Sequence, residues 1–325
     1  MLDSRFRLRY AKTHTMKRYL LKRLLLLIPL LLGITLVSFA MLKALPGDPV
    51  LNLVGERASP EIIESIKKEL GTDQGFLRQY AGYLSLLLKG DFGRSYYTNR
   101  QVFDEILAKF PNTIRLAFAT MFIAIPVGIL LGIAAALRRG GAVDRAMQAV
   151  TIAGVSMPVF WFGIMVMLLF SLQLKLLPPS GTGDLRFLVL PACVLAVPAA
   201  STLARVTRTS VLDALSMPHV QTAKAKGILR RRIIAMHVLR NALIPIITII
   251  GLDFGSYLNG AVVTETIFGW DGIGRFTMDG IVKRDYPVIM GCTLIGTTVF
   301  VVVNLLTDLV YHYLDPRIRL DEKSR

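Results

Sequence analysis

The residues able to do chemistry in this chain are few and scattered. A phosphate-cradling loop needs G-x-x-x-x-G-K-[ST], and the 325 residues contain no Gly-Lys dipeptide, so ATP hydrolysis by that route is excluded. Neither H-E-x-x-H nor G-x-S-x-G occurs. The four histidines (His14, His219, His237, His312) lack metal-ligand spacing, and no metal site or cofactor is expected. Cys193 and Cys292 lie inside apolar runs, where a free thiol behaves as a small hydrophobe rather than half of a disulfide.

Three acids stand in or beside apolar runs: Asp253, Glu265 and Asp308. An ionised carboxyl at the centre of a bilayer costs about 2.5–3.5 kcal/mol on insertion scales, so such an acid faces a bundle interior or a wet cavity. Asp253, at the middle of the fifth segment, either lines a pathway and favours cationic ligands or peptide amino groups, or makes a structural hydrogen bond, or sits as a protonated carboxyl, between helices. Glu265 opens a loop with Trp270, Gly272, Gly274 and Arg275, which suits either a flexing gate or a fixed interfacial turn. Asp308, near Asn304, reads as a helix-to-helix contact.

The elements that must position these groups are membrane helices. The chain is 53% apolar with a mean hydropathy of +0.54, more than a soluble core requires. Its net charge of +16 does not gather on a solvated domain, as nucleic-acid binding would need, but punctuates apolar runs. Crossing about 30 Å of hydrocarbon takes about 20 helical residues. Six segments meet that length: 24–42, 116–137, 146–174, 187–204, 241–264 and 286–307. Prolines within them (Pro29, Pro126, Pro158, Pro191, Pro198, Pro245) imply a bundle whose neighbouring helices satisfy the freed carbonyls. The expected class is an all-α polytopic membrane protein.

Lys and Arg mark the cytoplasmic side. They crowd the 1–23 segment, the loop at Arg138, Arg139 and Arg145, the loop 205–240, and the 308–325 tail. The opposite segment from Ala44 to Asn112 balances eight basic residues against nine acids, so both termini are expected inside. Within the external part 43–115, amphipathic stretches at Pro60–Leu70 and Gln101–Phe110 suggest a small cap that either ties helices together or meets a delivery protein. A second external loop covers 265–285. The first apolar run is too long for a signal h-region and has no small-residue cleavage site, so it reads as an uncleaved anchor. Met16 reads like a natural start, leaving 1–15 as a disordered extension or a mis-assigned beginning.

The loop Arg205–Arg240 is long for a connection between membrane helices. Ser216 suits an N-cap, Pro218 a first turn and Gly227 a stop, predicting a short helix over Pro218–Lys226. Small residues Thr222, Ala223 and Ala225, with Gly227, would let another protein approach closely. A solvated basic loop has the same composition.

His219-Val220-Gln221-Thr222-Ala223-Lys224-Ala225-Lys226-Gly227 resembles the coupling motif of ABC importer permeases, E-A-A-x-x-x-G, with the Glu and first Ala replaced. Together with His237-Val238-Leu239-Arg240-Asn241 it is similar to the dipeptide, oligopeptide and nickel subfamily. Further matches are Leu45 to Pro49, Gly90-Asp91-Phe92-Gly93-Arg94-Ser95, Ser156-Met157-Pro158 with Phe160, Arg205-Val206-Thr207-Arg208-Thr209-Ser210, Thr264-Glu265 with Phe268, Gly272 and Gly274, and Asp315 to Arg319. Their order most resembles the dipeptide-permease B type. The resemblance implies a type I importer transmembrane domain over about 110–315, in a bacterial inner membrane. It implies no catalysis in this chain, a heterodimer with a second permease, two cytoplasmic ABC ATPase subunits, and an extracytoplasmic solute-binding protein. His219, Val220, Gln221, Thr222, Ala223, Lys224, Ala225 and Gly227 would then dock the ATPase, and Asp253, Asn259, Glu265, Ser156 and Pro158 are pathway or gate candidates. The expected cargo is di- or oligopeptide, with nickel chelates or glutathione as alternatives. An ion-coupled secondary transporter is the rival from another class, although no internal repeat supports it.

Overall fold

The computed structural model describes residues 23, 25–41, 43, 59–69 and 74–314. The start at Met16, the 45–49 match and the tail match from Asp315 lie outside them. The described residues are mostly helical, with one isolated bridge between Arg94 and Gln101 among them.

In order the helices are α1 (Leu25–Met41), α2 (Pro60–Glu69), α3 (Phe76–Leu88), α4 (Val102–Leu137), α5 (Ala142–Ser156), α6 (Val159–Gln173), α7 (Leu185–Ser216), α8 (Pro218–Ala225), α9 (Arg230–Leu258), α10 (Val262–Ile267), α11 (Ile273–Lys283) and α12 (Tyr286–Leu314). Helices α4, α7, α9 and α12 are long and apolar enough to cross a bilayer, and α5 with α6 would make a fifth span as a bent pair. α1 has 17 described residues, about 26 Å at about 1.5 Å each.

The chain divides into two compact units, 1–105 with 280–301, and 106–279 with 302–325. In the first, Phe39, Tyr286, Ile289 and Met290 form a core edged by Phe76, Tyr80, Tyr83 and Tyr96. The G-D-F-G-R-S stretch is built in here: Gly93 takes φ +81 beside Pro287, and Ser95 Oγ and the Tyr96 amide donate to the Asp285 carboxylate at 2.5 and 3.2 Å.

In the second unit α7 is the central column, packed against α5, α6 and α9. It also receives α4 through a G-x-x-x-G pair that lets helix backbones approach. A Cβ on Gly128 would lie 2.9 Å from the Ala200 carbonyl oxygen, and one on Gly132 would lie 2.6 Å from that of Ala204. Pro126 of α4 and Pro191 and Pro198 of α7 sit inside their helices and each removes one backbone donor, leaving a carbonyl a turn earlier to be met otherwise.

Four sequence expectations change. The 101–110 stretch is no separate cap helix; α4 begins at Val102 and runs unbroken to Leu137, because Pro111 is absorbed within it. The segment 146–174 is two helices at 97°, broken at Met157 and Pro158, where Pro158 with φ −60 and ψ 126 caps α6 instead of continuing α5. The loop expected from residue 205 is helical through Ser216. The 241–264 segment stops at Leu258, because Gly260 adopts φ +102 and turns the chain away.

The α4–α7 contact yields a prediction. Gly132→Val should overpack it by about 1–3 kcal/mol and lower the thermal unfolding midpoint of detergent-purified protein by several degrees. Leu131→Val, at an exposed site one residue away, should leave it nearly unchanged.

Candidate ATPase-coupling surface and pathway residues

Helix α8 is eight residues long, too short to persist alone, and its stability comes from docking. Val220 (0% exposed) and Ala223 (6%) enter an apolar cluster with Leu203, Val211, Ala214, Ile233, Val238 and Ile246, contributed by α7 and α9. The other face is solvent-exposed: His219, Gln221, Thr222, Lys224, Ala225 and Gly227. Ala223 therefore packs against its own chain and does not offer a small surface to a neighbour, as the sequence suggested; an i, i+3 pair with Val220 puts it on the inner row.

The capping also differs from expectation. Met217, not Ser216, precedes the first turn and gives no side-chain cap; Ser216 Oγ donates to the Asp213 carbonyl at 2.7 Å. Pro218 occupies the first helical position, where a missing amide costs nothing. Gly227 ends the element with φ +72, and its amide donates to the Lys224 carbonyl at 3.0 Å. Gln221 Nε2 donates to the Leu215 carbonyl at 3.1 Å, and Asn241 Nδ2 lies 3.3 Å from His219 Nε2 while donating to the His237 carbonyl. These bonds join α8 to the ends of both long helices beside it.

Sequence reasoning missed the ion pair that braces this region. Asp144, 1% exposed, accepts Arg208 Nε at 2.6 Å and Nη2 at 2.8 Å, a fork-to-fork pair, with the Gly140 amide and Gln148 Nε2 completing its shell at 2.9 and 3.0 Å. It ties the α4–α5 turn and the start of α5 to the α7 extension that carries α8. The available signal was one acid in a turn otherwise holding Arg138, Arg139 and Arg145.

The pathway and gate candidates do not converge on one cluster. Ser156 and Pro158 are exposed on either side of the α5–α6 break. Asn259 is exposed just past α9. Asp253 is half-buried and only five residues from the end of α9, about 7.5 Å at about 1.5 Å per residue, rather than mid-span. Glu265 is fully buried. Its Oε1 accepts from Thr113 Oγ1 at 3.0 Å, its Oε2 from the Arg275 amide at 3.0 Å, and Thr113 Oγ1 accepts from the Ile273 amide at 2.9 Å. The carboxylate thus caps the N-terminus of α11 from another element. Burial raises its pKa, opposed by the bonds from Arg275, Thr113 and Gly274. A Cβ on Gly272 or Gly274 would collide with Glu265 Oε2, which is why glycines flank Ile273. Lys109 Nζ to Asp271 at 2.7 Å and Trp270 Nε1 to the Asn112 carbonyl at 3.0 Å pin the same turn. In this structure the turn is fixed and tied to α4.

With this geometry in view, comparison with known proteins places the chain. The family described as the binding-protein-dependent transport system inner membrane component matches residues 128–320, and its N-terminal membrane component matches residues 16–117. The chain belongs to this binding-protein-dependent transport family and is a multi-pass inner-membrane protein. It is 39% identical to the di/tripeptide transport system permease protein DppB of Pseudomonas aeruginosa (strain UCBPP-PA14), across 94% of this chain and 99% of that protein. The dipeptide permease DppB of Escherichia coli (strain K12) matches at 39% and the same coverage. The glutathione transport system permease protein GsiC of Salmonella choleraesuis (strain SC-B67) is also 39% identical, over 94% of this chain and 99% of that one. Among solved structures, a chain of the MetNI methionine ABC transporter in an inward-facing form aligns at TM-score 0.57 and 14% identity, covering 65% of this chain and 96% of that chain. That likeness carries the fold alone: this chain shares its helical arrangement with that chain.

The Asp144–Arg208 pair can be tested directly. Arg208→Leu should strip the buried carboxylate of its main partner, lowering both the melting temperature and the yield of monodisperse protein. Adding Asp144→Asn should recover part of the loss, as read by thermal unfolding in detergent.

Proposed function

We propose that this chain is one of two permease subunits of an ATP-driven importer of di- and tripeptides, crossing the membrane six times with both termini in the cytoplasm. In this reading α1 and the bent α5–α6 pair supply the two crossings beyond α4, α7, α9 and α12. The basic loop around α8 faces the cytoplasm, where two ABC ATPase subunits dock. A solute-binding protein delivers cargo on the other side.

One observation carries the mechanism: the division of α8 into an anchored row and a free row. Val220 and Ala223 fix it to α7 and α9, while Gln221, Thr222, Lys224, Ala225 and Gly227 are exposed and available to an ATPase cleft. Closure of the ATPase pair would push on α8, and a push on α8 reaches α7 and α9 as a rigid displacement because interiors are close-packed. This is mechanical coupling between two states, with ATP hydrolysis on separate subunits. Glutathione is the second reading of the cargo, favoured by the equal identity to GsiC; it is itself a peptide-like thiol, so the coupling argument is unaffected.

In proteoliposomes containing the whole transporter and its binding protein, Thr222→Trp and Gly227→Trp should each cut ATP-dependent dipeptide uptake at least tenfold. Insertion and subunit assembly should hold for Thr222→Trp, whose site is exposed; Gly227→Trp meets no atom within 4 Å of its Cβ but adds backbone strain at φ +72, so its assembly is checked by co-purification alongside uptake. Normal uptake in both variants would refute docking at α8.

A further inference from the structure

Asp253 is an acid left without a counterpart. Among the described residues it forms no hydrogen bond or ion pair; the hydroxyl of Tyr257, one turn on, donates instead to the Leu195 carbonyl at 3.1 Å. A half-buried carboxylate in the apolar half of a spanning helix is disfavoured against lipid and against an apolar neighbour alike. Its surroundings on α9 differ on the two sides. Three and six residues on, Ser256 and Asn259 are exposed and polar, a row of hydrogen-bonding groups leading to the helix end. On the other side, Ile250 and Phe254 line a cavity of about 840 Å³ completed by Phe118, Phe122, Leu188 and Val189. Phe118 and Phe254 meet edge to face, ring centroids 4.9 Å apart. The cavity walls are apolar throughout, and its volume is in the range that holds a small molecule.

We propose that Asp253 and this cavity form a solute subsite on the permease itself, for a molecule carrying a protonated amine beside an apolar side chain. The ammonium pairs with the Asp253 carboxylate, the apolar side chain enters the cavity, and Ser256 and Asn259 offer a hydroxyl and an amide to the polar atoms between. An N-terminally free dipeptide with a hydrophobic residue has this chemistry. The proposal rests on the importer reading above and adds a selectivity within it: the permease, and not the binding protein alone, discriminates cargo. Asp253 lies about two turns or less from the end of α9 away from the basic loop, the position of an entry site.

The test uses the complete reconstituted transporter and a dipeptide containing photoactivatable leucine. With wild type, ATP-dependent uptake should be seen, and illumination should label residues 118–125, 185–192 or 250–254. Asp253→Asn should lower both labelling and uptake at least fivefold, and Asp253→Glu should restore most of each. Val189→Trp, filling the cavity, should suppress uptake of leucyl-leucine at least fivefold while sparing glycyl-glycine. Wild-type uptake with both Asp253→Asn and Val189→Trp unimpaired would overturn the subsite but leave the importer reading standing. Labelling of the cavity by photoactivatable lipid, undiminished by excess dipeptide, would also overturn it. Absence of ATP-dependent uptake by wild type would sink the importer reading and the subsite together.

Discussion

Hydrocarbon offers no partner for a polar group, and that single constraint orders this molecule. It forces the spans to be helical, keeps the basic residues to turns and the ends of helices, and makes an unpaired buried carboxylate costly. Three buried carboxylates show two outcomes. Asp285 and Glu265 are satisfied by hydroxyls and backbone amides, Asp144 by a guanidinium. Each fixes a turn at the end of a helix rather than a point within one.

Those fixed turns account for how a short helix can act on long ones. α8 contributes eight residues and two buried side chains, so alone it would transmit nothing. In the proposed coupling role it would serve as a handle, because the elements it packs on are themselves clamped: α7 to the α4–α5 turn through Asp144 and Arg208, and α7 to α4 through Gly128 and Gly132. At the far end, Glu265 and Thr113 lock the turn after α9 onto α4. In that role, force applied at Thr222 would meet a braced body rather than a hinge, while the 97° break around Met157 lies outside these clamps.

Much of this was legible in the residues. Apolar run lengths located the long helices, and Pro218 with Gly227 bracketed α8 to within one residue of its end. What escaped was information carried between elements. Nothing local tells that Ala223 faces inward while Ala225 faces out, because both are small; only the positions of α7 and α9 decide it. Ser216 carries a good capping side chain, yet its hydroxyl is captured by the Asp213 carbonyl at the end of α7. Nothing local singles out Asp144 either, because its partner is 64 residues away. Asp253 was read as mid-span since the apolar run continues to Thr264, whereas the backbone turns at Gly260 regardless of hydropathy. By composition the Glu265 turn suited a flexing gate or a fixed interfacial turn equally, because only the structure shows its glycines making room for a carboxylate.

The account stands on α8 being gripped by an ATPase. A single cysteine at Thr222, in the assembled transporter with its ATPase subunits and no other reactive thiol, measures this most directly. Bifunctional crosslinking should join the two proteins at high yield, a cysteine at buried Val220 should give none, and a spin label at Thr222 should report a shift relative to a label on α7 of less than the scatter when ATP binds. A Thr222 cysteine that stays freely modifiable by a water-soluble thiol reagent in the full complex, without crosslinking to an ATPase, would contradict the account.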